Sequence, residues 1–149
     1  VKRHDLLRAG LGLLAGTQVL LGLWILLLPD TFWKWRWVSY LPPYNEHLLR
    51  DLGSTNLALA VVLCAAVTTM ERRLVLTALV AYVTASVPHL VFHARHLEPL
   101  SAASGAGLMA LLGTGAVLPA ALLWLAADPS AFRRPAPVAY RPKGANKSS

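Results

Sequence analysis

Charged and apolar positions are sharply segregated along this chain. The fixed charges leave four long uncharged runs, between Arg8 and Asp30, Asp51 and Glu71, Arg73 and Arg95, and Glu98 and Asp128, each of 19 or more residues. About 20 predominantly apolar residues cross a bilayer core as an α-helix. In lipid every backbone N–H and C=O has to find its partner inside the protein, so such runs form helices or a closed barrel. The stretch 57–67 lacks strict two-residue alternation, which argues against barrel strands. The pattern predicts an all-α, four-transmembrane-helix bundle with spans at about 9–29, 52–70, 74–95 and 105–127. These make one domain, 1–128, followed by a flexible tail over 129–149.

Lys2, Arg3 and Arg8 would also suit the basic start of a signal peptide. The apolar stretch behind them, however, outruns the usual length of about 7–15 residues and lacks a small-residue cleavage pattern. It ends in Leu26-Leu27-Leu28-Pro29-Asp30 and is read as a retained span.

Composition sharpens the picture. The chain is 56% hydrophobic and only 14% charged, with a mean hydropathy of +0.51, where a soluble domain carries about 25% charged residues. A disordered chain, a disulfide scaffold and an ordinary water-soluble enzyme are excluded. The net charge of +7 would suit nucleic acid if it formed a groove, but it does not. Ten of the fourteen basic residues (Lys2, Arg3, Arg8, Arg72, Arg73, Arg133, Arg134, Arg141, Lys143 and Lys147) fall on one side of the predicted bundle. Lys34, Arg36, Arg50 and Arg95 fall on the other. The positive-inside rule then places both termini in the cytoplasm, and no nucleic-acid partner is needed to explain the charge. The tail could also attract anionic headgroups, although fixing topology is sufficient reason for it. Cys64 stands alone within the second span and reads as a small packing residue.

Small residues recur in the first and fourth spans, as Gly12 and Gly16, and as Gly105, Gly107, Gly113 and Gly115. Such spacing lets helix backbones approach in lipid. The contact can be satisfied within four helices of one chain, or by a membrane protein partner or a second copy in a homo-oligomer. Pro88 and Pro119 fall inside spans and each removes a backbone donor. The first outer loop interleaves Trp33, Trp35 and Trp37 with Lys34 and Arg36, as an aromatic belt at a membrane surface does.

Candidate chemistry gathers at the outer end. Four of the five histidines lie in two stretches, 44–51 entering the second span and 88–98 leaving the third. His89, His93 and His96 follow i, i+4, i+7 and share a helix face, as do His47, Asp51 and Ser54. The short link between these spans makes them antiparallel neighbours, so the two polar faces are expected to meet in the outer third of the bilayer. Ionisable groups at such depth are costly unless paired and by default mark a functional site. The site comprises Glu46, His47, Arg50, Asp51, His89, His93, Arg95, His96 and Glu98. Three readings fit it. His47, Asp51, His89, His93 and His96 could bind a metal ion. Histidines on two helices could ligate a haem. Alternatively, Arg50 or Arg95 could pair with Asp51, Glu46 or Glu98 in a network that holds the helices in register. A proton-relay or small-ligand role is a further option for histidine near neutral pH. No Ser-His-Asp order, phosphate loop or CxxC pair signals a reaction class.

The segments 43–51, followed by Leu57-Ala58-Leu59-Ala60, and 87–93, followed by His96-Leu97-Glu98, resemble small four-helix bacterial membrane proteins grouped with the DoxX-like family. The likeness extends in layout over roughly positions 5 to 127. It implies a multi-pass plasma-membrane protein without an agreed activity. DoxX-like relatives have been linked to quinone or thiol redox systems, but the cysteine pair that a thiol role would use is absent here.

Overall fold

The computed structural model describes residues 3–41 and 43–132. The basic residues placed in the tail, Arg133, Arg134, Arg141, Lys143 and Lys147, lie outside the described residues, as does Lys2. The chain is helical, as the charge pattern predicts: α1 (Arg3–Leu27), α2 (Pro29–Trp33), α3 (Glu46–Thr69), α4 (Arg72–Ala94), α5 (Ala102–Ala127) and a closing 3-10 turn (Pro129–Phe132). Four of these helices, α1, α3, α4 and α5, are long and apolar enough to cross a membrane.

α3 and α4 start ahead of their uncharged runs because polar residues cap them. Asn45 Oδ1 accepts from the Leu48 amide at 3.1 Å and starts α3 at Glu46, ahead of the apolar stretch. Both Glu71 carboxylate oxygens accept amides of the first turn of α4, from Arg73 at 3.1 Å and Leu74 at 3.0 Å. Side-chain acceptors of this kind satisfy amides that a helix leaves unpaired at its N-terminus. Met70, at φ 51°, closes α3 in the left-handed conformation and turns the chain into α4 within two residues. Two C-termini are capped by arginines from neighbouring helices. Arg50 Nη1 donates to the Leu26 carbonyl of α1 at 2.7 Å, and Arg72 Nη2 donates to the Ala127 carbonyl of α5 at 3.2 Å. A cation at that end also meets the negative pole of the helix dipole.

Packing divides the bundle into two pairs. α1 packs most extensively on α3, and α4 on α5, with lesser contacts between the pairs. One core joins all four helices at the end carrying the start of α1, the α3–α4 turn and the end of α5. It is built on Leu7, Leu11, Leu63, Leu79, Val75 and Leu122. A second core, of Ile25, Phe32 and Leu49, belongs to α1, α2 and α3 at the opposite, loop end. There the α4–α5 pair is held by the loop instead: Trp37 covers Gly107, and Tyr40 reaches α4.

The glycines do different work from the spacing-based expectation. Gly12, Gly16, Gly113 and Gly115 have open space where a side chain would begin. The close crossing is at Gly22 and Gly53, where a Cβ on Gly53 would stand 2.6 Å from the Leu26 backbone nitrogen. Lipid tails are as apolar as leucine, so helix association there depends on close packing and not on escape from water. Contact of backbone with backbone is how α1 and α3 obtain it.

Candidate functional site

At the mouth of α3 the polar residues are tied to neighbours on the same helix and to α1. Arg50 donates from Nε to Glu46 Oε1 at 2.8 Å, and its Nη2 lies 2.7 Å from the same oxygen. With Nη1 on Leu26, the guanidinium links one carboxylate to the end of another helix. His47 Nε2 lies 3.4 Å from Asp51 Oδ2 with its side chain 88% exposed, a loose surface pair. Deeper polar side chains turn back on their own helix. Ser54 and Thr55 donate to the Asp51 carbonyl at 2.9 and 2.8 Å, and Asn56 to that of Leu52 at 2.8 Å. Polar groups satisfied in this way can lie within a span at little cost.

The preceding loop adds Tyr44, whose ring lies 5.9 Å from that of Trp33. The neighbouring Asp30 carboxylate, helped by partial burial, pushes its pKa up to about 12.

At the end of α4, His93 is buried, 8% exposed. Its Nδ1 lies 2.5 Å from the Tyr40 hydroxyl. A neutral ring unprotonated at Nδ1 accepts from that hydroxyl and carries its proton on Nε2. His89, one turn deeper, sets its ring edge-on to His93 with centroids 4.5 Å apart. It is itself exposed on the surface of the bundle, about 8 Å of helix rise inside the end of α4. His96 turns away: its ring stacks on Phe92 at 4.3 Å, and its Nδ1 donates to the Phe92 carbonyl at 2.7 Å. Arg95 and Glu98 are exposed in the 95–101 connection. Burial, and secondarily the Glu98 charge, raise the Tyr40 pKa above its ordinary value.

The expected constellation thus stands as two groups. Glu46, His47, Arg50 and Asp51 bond within α3 and to α1. His89 and His93 associate with Tyr40. Among the described residues no hydrogen bond or ion pair joins the groups, and no three His, Cys, Asp or Glu side chains converge on a point that could hold a metal ion. The reason lies in the pairing of helices, which turns the mouth of α3 toward α1 and the end of α4 toward α5 and the loop.

Two participants escape a reading by periodicity. Tyr40 sits in an irregular loop, where no period says what it meets. Gln18 lies mid-span on the buried face of α1, 7% exposed, its Oε1 without a partner among the described residues. The signal for it was present, as a lone amide in an otherwise apolar run.

No family model, curated protein or solved structure matches this chain.

Proposed function

We propose that this chain is a multi-pass component of the plasma membrane, with both termini cytoplasmic, that serves as an accessory or structural protein. Its outer polar groups hold helices and loop in register. The observation that supports this reading is where the polar bonds go. Arg50 ties α3 to the end of α1, and Tyr40 ties the loop to α4. Each bond joins two elements, and among the described residues no three His, Cys, Asp or Glu side chains converge on one point.

The bilayer is supported by the outer surface, where large apolar side chains face outward on every long helix, Leu20 at 71% and Trp124 at 80% exposure among them. Continuous apolar surface of this kind needs a nonaqueous cover. The orientation is tested by single cysteines at Ser39 and Ser130 in a Cys64→Ala background. Ser39→Cys should react with an impermeant maleimide on intact cells and Ser130→Cys only after lysis. The reverse pattern would invert the topology.

A metal- or haem-binding redox role is the second reading; of His47, Asp51, His89, His93 and His96, it falls to His89 and His93, whose rings lie together. It is favoured by the close rings of His89 and His93 and by the hold of Tyr40 on His93 Nδ1, since ligating imidazoles are oriented through their other nitrogen. Visible absorption and elemental analysis of the purified protein separate the two. A Soret band or about one metal per chain, lost in His89→Ala with His93→Ala, would establish the second. A colourless, metal-free protein that is destabilised by Arg50→Ala would establish the first.

A further inference from the structure

Between α1 and α3 the surface of the bundle is notched by a groove of about 500 Å³, lined by Gly12, Gly16, Leu20, Cys64, Val67 and Thr68. Its floor is open because neither Gly12 nor Gly16 has an atom within 4 Å of where a Cβ would stand. Its length identifies what fits. From Gly12 to Leu20 the helix rises about 12 Å, close to the roughly 15 Å of hydrocarbon in one leaflet. Beyond the outward-projecting Leu20, α1 and α3 close on each other at Gly22 and Gly53.

The polar end of the groove carries a cation. Arg8 lies one turn before Gly12 on the same face, in the series 8, 12, 16. It is exposed, and among the described residues it makes no ion pair or side-chain hydrogen bond. The antiparallel register that sets Gly12 beside Thr68 brings Arg8 level with the α3–α4 turn. The acidic residue of that turn, Glu71, has both oxygens committed to amides of α4. Basic charge at a span's end, with an apolar slot of leaflet length below it, complements an anionic headgroup with an acyl chain beneath.

We propose that the groove holds one acyl chain of an anionic phospholipid, its phosphate on Arg8, in the leaflet at the end of the bundle where α1 begins. The inference rests on the helices spanning a bilayer, but not on which side is cytoplasmic.

The test reconstitutes the full chain in vesicles of phosphatidylglycerol and phosphatidylcholine and counts co-purifying lipids by native mass spectrometry. The wild type should retain phosphatidylglycerol in preference to phosphatidylcholine. Arg8→Gln should lower that preference about five-fold, the effect of one basic residue near a headgroup. Gly12→Leu with Gly16→Leu, which fills the slot, should lose the retained lipid of both kinds while keeping the wild-type helical circular dichroism. An unchanged preference in Arg8→Gln, or retention in the filled variant, would overturn the proposal. So would efficient oxidative cross-linking through Cys64 in the vesicles, which would seat a second copy in the groove. Release of the chain by alkaline carbonate would instead refute the membrane-spanning reading itself.

Discussion

Tyr40 and His93 are 53 positions apart, yet their 2.5 Å contact is the side-chain hydrogen bond that ties the loop to α4. Removing the hydroxyl leaves a buried ring nitrogen without a partner, which costs about 1–3 kcal/mol in a soluble core and about 1 kcal/mol or less near lipid. Tyr40→Phe should therefore lower the melting temperature in detergent. A double-mutant cycle with His93→Phe should return a coupling of about 1 kcal/mol. Additive effects would dissolve the tie. Tyr44 offers a pH test. Its pKa is raised to about 12, chiefly by the Asp30 carboxylate. A raised pKa means that the interaction with Asp30 contributes fully below the ordinary value near 10 and is lost as pH climbs through about 12. Asp30→Asn should bring the phenolate transition of Tyr44, followed by ultraviolet absorbance, back down toward 10. A transition that does not move would remove Asp30 as its cause.

The crossing of α1 and α3 turns on two glycines with no special spacing between them. A methyl on Gly53 would meet the Leu26 backbone at 2.6 Å, and backbone cannot rotate out of the way as a side chain can. Gly53→Ala should cost about 1–3 kcal/mol, the usual range for overpacking, read as a lower melting temperature. Gly12→Ala, facing open space, should leave stability unchanged or slightly raised, because alanine is the better helix former. Equal effects at the two sites would contradict the packing described. The helices themselves were legible in the sequence, since a long uncharged run in lipid has no other way to satisfy its backbone. Their early starts were legible only in part. Asn45, Glu71 and Ser101 are ordinary capping residues, but the helix ahead of Ala9 in α1 is held by the burial of His4 and Leu7 and by the pairing of Arg3 with Asp128 across the bundle.

Across the whole molecule the charges and the apolar surface describe one solvent, and the glycines and arginines describe how the helices fit within it. The expectation that the histidine faces of the second and third spans would meet came from their adjacency in the chain. Adjacency does join them by a turn of two residues, but each helix packs mainly on another neighbour. Hydropathy and charge order were enough to specify four helices and an all-α bundle, because transfer into a bilayer acts on each segment separately and is written locally in its composition. Which helices pair, which glycines are covered and what Tyr40 touches were settled by the folded bundle. Between apolar helices in lipid no hydrophobic gain favours one partner over another, so the choice falls to the fit of surfaces that exist only once the chain has folded.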